Sequence, residues 1–110
     1  MAAVDKHAAR FQRRLARAIE PYRSLLVDLV YGEMSPGDFE MAYMSRWGGD
    51  KRWMEDAVFE VGEEFFFVVE DYVDNPDLRD PSHGDLGPDE LRERARELLR
   101  RAGFDDPAPQ

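Results

Sequence analysis

From Arg52 to Val73, apolar side chains return every three or four residues, a spacing that fits a helix and no other regular structure. With Glu55 set at 0° and about 100° per residue, Met54, Val58, Val61, Phe65, Val68, Val69 and Tyr72 fall within roughly 220–320°. That stripe predicts a buried face. The opposite side, at roughly 60–180°, holds Asp56, Glu60, Glu63, Glu64, Glu70, Asp71 and Asp74, with no Lys or Arg after Arg52 to balance them. Asp56–Glu60, Glu60–Glu64 and Glu70–Asp74 are like-charge pairs one turn apart, each destabilising by roughly 0.2–0.5 kcal/mol. Within this acidic face lies Phe67, near 120° on the wheel, and at its edge Trp53, near 160°. An exposed aromatic ringed by carboxylates suits a cationic, partly apolar partner. The competing reading packs Phe67 under the N-terminal segment or against a second copy.

Four stretches show helical rhythm. Tyr22, Leu25, Leu26, Leu29 and Val30 precede Gly32, with Pro21 suited to a first helical turn. Upstream, Phe11, Leu15, Ala18 and Ile19 continue the pattern, so residues 1–20 are expected as an N-terminal helical extension. Pro21 either kinks one long helix or separates two. The next helix has the clearest start: Ser35 as N-cap, Pro36 at the first position and Asp38 two residues later. Phe39, Ala42, Tyr43 and Met44 form its apolar side, and Gly48-Gly49-Asp50 ends it. After the acidic helix, Asn75-Pro76 breaks the chain into a loop rich in Asp, Pro and Gly. The last helix starts at Pro88, with Asp89 and Glu90 in its first turn and Arg100 and Arg101 in its last, an order that complements the helix dipole. Leu91, Ala95, Leu98 and Ala102 make its buried stripe, and Glu90–Arg94 and Glu97–Arg101 are expected as opposite-charge pairs. Strand signals are weak. The expected fold is therefore all-α: an antiparallel four-helix bundle over 21–103, the extension before it, and a flexible tail at 104–110.

A chain of 110 residues can bury one core without disulfides, and it has no cysteine to make them. Met1 to Arg17 mixes Ala with Arg and makes a poor signal peptide, and no stretch approaches the roughly 18 apolar residues of a membrane span. A cytoplasmic protein is the expectation. Net charge is −9, distributed as +4 over residues 1–27, −11 over 28–78 and −2 over 79–110. The acidic middle argues against direct contact with nucleic acid or an anionic membrane and favours a basic protein partner. Asp74, Asp77, Asp80 and Asp85 prolong the charge into the loop, but their spacing fails the calcium-loop pattern. No cofactor or metal is expected. His7 and His83 are the only imidazoles, no Ser has a nucleophile context, and a solvated carboxylate face lacks the pocket that acid–base catalysis needs. An enzyme is not expected. The basic run Arg10, Arg13, Arg14 and Arg17 reads as a solvated face or as pairing with acids of the same protein, with phosphate binding as the lesser alternative.

The stretches LLVDLVYGEMSPGDFEMAY (Leu25–Tyr43), VGEEFFFVVEDYVDNPDLRD (Val61–Asp80) and DLGPDELRERARELL (Asp85–Leu99) occur in that order. In these the chain resembles the colicin D immunity family of bacterial self-protective proteins, over roughly Tyr22 to Ala102, the middle stretch being the most specific. The resemblance implies a four-helix antiparallel bundle that binds the nuclease domain of a tRNA-cleaving toxin and occupies its basic cleft with carboxylates in place of tRNA phosphates. By motif position the resemblance places the family's key acids on Glu70 and Asp77, with Asp74 and Asp80 as alternatives to Asp77 because the loop is longer here. Glu60, Glu63, Asp71 and Phe67 complete the expected toxin-binding surface. The segment before Tyr22 departs from the family pattern. The free protein is expected as a monomer, and an acidic helical adaptor for some other basic protein is the alternative function.

Overall fold

Pro21 separates two helices rather than kinking one. In the computed structural model, which describes residues 6–49 and 56–104, with side chains placed for 6–48 and 60–104, helix α1 (Lys6–Ile19) runs into a single 3₁₀ turn, Glu20–Tyr22, and α2 (Arg23–Tyr31) follows. The proline ring supplies no N–H, so the α-helical ladder cannot run through it. The Pro21 carbonyl accepts a hydrogen bond from the Arg46 guanidinium. α2 closes at Gly32 in the left-handed region (φ 81°), where its N–H reaches the Leu29 carbonyl at 3.2 Å and the Glu33 N–H reaches Asp28 at 2.8 Å. A side chain would be strained there.

Helix α3 (Pro36–Gly49) starts as its sequence predicts, with Ser35 Oγ accepting the Asp38 N–H at 3.2 Å. Helix α4 (Asp56–Asp71) holds the acidic face, and α5 (Pro88–Arg101) begins where the Glu90 carboxylate accepts the Gly87 N–H at 2.7 Å. A second 3₁₀ turn, Pro81–His83, lies in the loop between them. The described residues are thus all-helical apart from loops and one isolated bridge, Tyr72 to Leu86. That bridge draws the two ends of the acidic loop together: Val73 N–H to Leu86 O is 3.1 Å and Leu86 N–H to Asp71 O is 2.8 Å.

The core is one cluster fed by every helix: Leu15 and Ile19 from α1, Leu26 and Leu29 from α2, Phe39 and Tyr43 from α3, Phe65 and Val69 from α4, and Leu91 and Leu99 from α5. Its centre is aromatic. The Tyr43 ring lies 5.3 Å from Tyr22, 5.7 Å from Phe39 and 5.3 Å, edge-on, from Phe65. Apart from the tyrosines, no polar or charged side chain is buried among the described residues. The stripe predicted on α4 is buried from Val61 to Tyr72, while Met54 and the side chain of Val58 lie outside the described residues.

The segment expected as an extension is packed. α1 lies against α4, and Leu15 and Ile19 are almost fully buried. Its register against the end of α5 is close: a Cβ on Gly103 would come within 2.8 Å of the Gln12 side chain. At the other terminus, Phe104 is half-buried, its N–H bonded to Leu99 O at 3.0 Å and its ring covered by the Arg23 guanidinium at 4.1 Å. The rest of the expected tail lies outside the described residues.

Candidate interaction surface

Helix α4 is held on three sides, by α1, α3 and α5. The outward side carries Glu60, Glu63, Glu64, Glu70 and Asp71, all exposed, with Phe67 among them at 51% exposure. Glu64 meets a cation, Arg101 of α5, at a loose 3.8 Å with both side chains well hydrated. Among the described residues, the carboxylates of Glu60, Glu63, Glu70, Asp71 and Asp77 have neither an ion-pair partner nor a hydrogen-bond donor. Trp53 lies outside the described residues, as does the side chain of Asp56.

Phe67 is the outer end of a chain of rings rather than an isolated side chain. It stands edge-on to Phe66 at 5.9 Å, Phe66 leans on Trp47 at 5.8 Å, and Trp47 stacks on the buried Tyr43 at 6.3 Å. Such a chain fixes the exposed ring before any partner arrives, which lowers the ordering entropy that binding would otherwise lose.

The loop after α4 is tightly self-bonded, and this sorts its acids. Asp80 is engaged internally: its carboxylate accepts the Ser82 N–H at 3.0 Å and hydroxyl at 2.6 Å, and lies 3.1 Å from His83 Nδ1. Asp85 accepts the Asp80 N–H at 2.8 Å. Asp74 accepts the Tyr72 hydroxyl at 2.5 Å and stands beside Gly37, whose Cβ position is 3.4 Å from the carboxylate. Asp77 is exposed, its backbone N–H held by Asn75 Oδ1 at 2.9 Å while its carboxylate stays open to solvent beside the exposed Leu78. Arg79 pins the loop from within, donating to the Val73 carbonyl at 3.0 Å and the Asp74 carbonyl at 3.3 Å.

Sequence reasoning missed the small acid–phenol cluster at this corner. Tyr72 was legible as core, but its hydroxyl sits at the boundary. Burial, the bond to Asp74 and the Asp74 charge push its pKa up to about 12, with Glu40 adding to this and Arg79 opposing it. Burial, then the Asp74 charge, likewise raises Glu40 above the usual carboxylate range. The signal was weak, since residues 40 and 74 are far apart in the chain and only the packing of α3 against the end of α4 brings them together.

The arrangement presents a row of exposed carboxylates and one half-exposed ring to solvent. Among the described residues no group of three or more His, Asp or Glu side chains could hold a metal ion, and no helix is long and apolar enough to cross a membrane. No family model matches the chain, and neither a curated protein nor a solved structure is found to be significantly similar to it.

Proposed function

We propose that the protein is an immunity protein of the colicin D type, a stoichiometric inhibitor that lays α4 and the following loop into the basic, tRNA-binding cleft of a nuclease toxin. It is not a catalyst on this reading, and it acts in the cytoplasm, where tRNA is found. The observation that carries the proposal is the row of exposed carboxylates on α4, of which Glu60, Glu63, Glu70 and Asp71 have no partner among the described residues, with the half-exposed Phe67 among them. Such a row mimics a polyanion and speeds encounter with a cationic cleft. Glu70 and Asp77 are the principal contacts, joined by Glu60, Glu63, Phe67 and Asp71. Asp74 and Asp80 support the surface, since both already hold groups of the loop. The family's antiparallel four-helix bundle corresponds to α2 through α5, with α1 added. The packing of α2 on α3 and α5, and of α4 on the same two helices, supports that arrangement.

The experiment adds the full chain to the nuclease domain encoded beside its gene and follows tRNA cleavage on a gel. Cleavage that stops at one equivalent supports the proposal. Unchanged cleavage with no complex on a sizing column overturns it and leaves an acidic adaptor for another basic protein.

A further inference from the structure

Helices α1 and α4 carry the same seam with opposite charge. Lys6, Arg10, Arg13 and Arg17 follow one another at intervals of four, three and four, so they form one line along α1, and all are exposed. Glu60, Glu64, Phe67 and Asp71 repeat those intervals on α4 and are exposed as well. This is the heptad rhythm that keeps one stripe of a helix against a neighbouring helix. Each stripe is about 16 Å long at 1.5 Å per residue, so the two match in length. They lie on adjoining helices of one chain, yet both face solvent and do not satisfy each other. Among the described residues Lys6, Arg10, Arg13 and Arg17 form no ion pair, and of the three acids Glu64 alone has a cation near it, Arg101 at 3.8 Å.

We propose that the α1 stripe of one copy docks on the α4 stripe of a second copy, and the reverse, in a two-fold dimer. Because each copy carries both halves, a two-fold axis makes both contacts at once. With the helices antiparallel, so that their dipoles oppose, Lys6 meets Asp71, Arg13 meets Glu64 and Arg17 meets Glu60. The same register sets Arg10 over the Phe67 ring, a cation on an aromatic face, which accounts for an aromatic inside an acidic row. A nucleic acid on the α1 stripe is disfavoured, because the net charge of −9 and the adjoining acidic stripe repel it. Repulsion between the net charges of two copies is largely screened beyond about 8 Å at physiological ionic strength, while the stripes act in contact. The dimer does not depend on the toxin-inhibitor reading, though it uses the same α4 face, so a basic partner would displace the second copy.

The test is sedimentation velocity on the full chain at about 0.15 M salt, up to about 0.5 mM, the range for an interface of exposed charges. Reversible dimerisation that weakens at higher salt is expected. Arg13→Glu/Arg17→Glu and Glu60→Arg/Glu64→Arg, each checked for helical content by circular dichroism, should be monomeric alone. Mixed in equal amounts they should pair again, because each then offers the charge that the other lacks. A wild-type chain that stays monomeric, or variants that dimerise as well as wild type, would overturn the proposal. No toxin enters the experiment, so failure here leaves the inhibitor proposal standing.

Discussion

Helices α4 and α5 both turn one face to water, and they use its charges in opposite ways. On α5 the charges serve the helix. Glu97 and Arg100 meet at 2.5 Å, Glu93 and Arg96 at 3.2 Å, and Asp89 and Arg92 at 3.7 Å, while Glu90 turns back to cap the first turn. On α4 the exposed acids repel one another, and among the described residues their one cation is the loosely placed Arg101. The fold gains from the first arrangement and loses from the second. That contrast is the ground for proposing α4 rather than α5 as the binding surface.

The largest expected effect separates the two faces of α4 itself. Phe65→Ala should destabilise by about 3–5 kcal/mol, since the ring is 4% exposed and packs on Tyr43 and Phe39. Phe67→Ala should change stability by less than about 1 kcal/mol, because half the ring is already in water. Urea unfolding of both variants checks the pair. Equal losses would mean that Phe67 belongs to the core and that α4 has no free face.

Next comes binding. On the proposed inhibitor reading, Glu70→Ala or Asp77→Ala should weaken capture of the nuclease by roughly 2–5 kcal/mol, because each would leave a toxin cation buried and unpaired. Arg100→Ala on α5 should leave it unchanged. Calorimetric titration reads all three. Wild-type affinity for both acid variants removes Glu70 and Asp77 from the contact, whatever the toxin proves to be.

Why the helices were legible and the loop was not follows from the same physics. Periodicity reports a helix's own buried stripe, so Val61, Phe65, Leu91, Ala95 and Leu98 could be placed from spacing alone. Local caps are also written locally, as at Ser35. Ion pairs are less so. Spacing predicts Glu90–Arg94 and Glu97–Arg101, but Glu90 is drawn to the unsatisfied N–H of Gly87, Glu97 is taken by Arg100, and Arg101 crosses to Glu64. At a helix start a bare N–H is the stronger attractor. Asp80 is a local cap too, an Asp before Pro81 whose carboxylate accepts the Ser82 N–H, whereas the role of Asp74 depended on packing that sets it between Tyr72 and Gly37. Likewise, Leu15 and Ile19 were periodic, but whether they joined the main core depended on α1 folding onto α4.

Two changes at the corner where α3 meets the loop have intermediate size. Tyr72→Phe removes the bond to Asp74 and should destabilise by about 1 kcal/mol at neutral pH. Because the folded Tyr72 pKa is raised to about 12, its contribution is intact below the ordinary value of 10.0 and is lost as pH rises towards about 12. The gap between wild type and variant should therefore close in alkali, as thermal unfolding at stepped pH would show. A constant gap would mean that neither burial nor Asp74 holds the hydroxyl in its protonated form. Glu40→Gln should do the reverse at neutral pH and stabilise by about 0.5 kcal/mol, on the scale of one like-charge pair. Glu40 is also raised, so the wild type recovers as pH falls through its folded pKa, and the difference should vanish below the ordinary value of 4.5.

The smallest effect bears most directly on the contrast between the helices. Glu60→Lys places a cation one turn before Glu63 and Glu64, turning repulsion into attraction, and should stabilise by roughly 0.2–0.5 kcal/mol. Arg100→Glu on α5 replaces the pair with Glu97 by a repulsion near the negative end of the helix dipole, and should destabilise by a similar amount. Urea midpoints at low salt, where exposed charges are least screened, give both signs in one series. Opposite signs mean that α4 holds its acids against its own stability. If Glu60→Lys instead destabilises, the acidic row has partners within the folded chain, and the case for an external cation loses its ground.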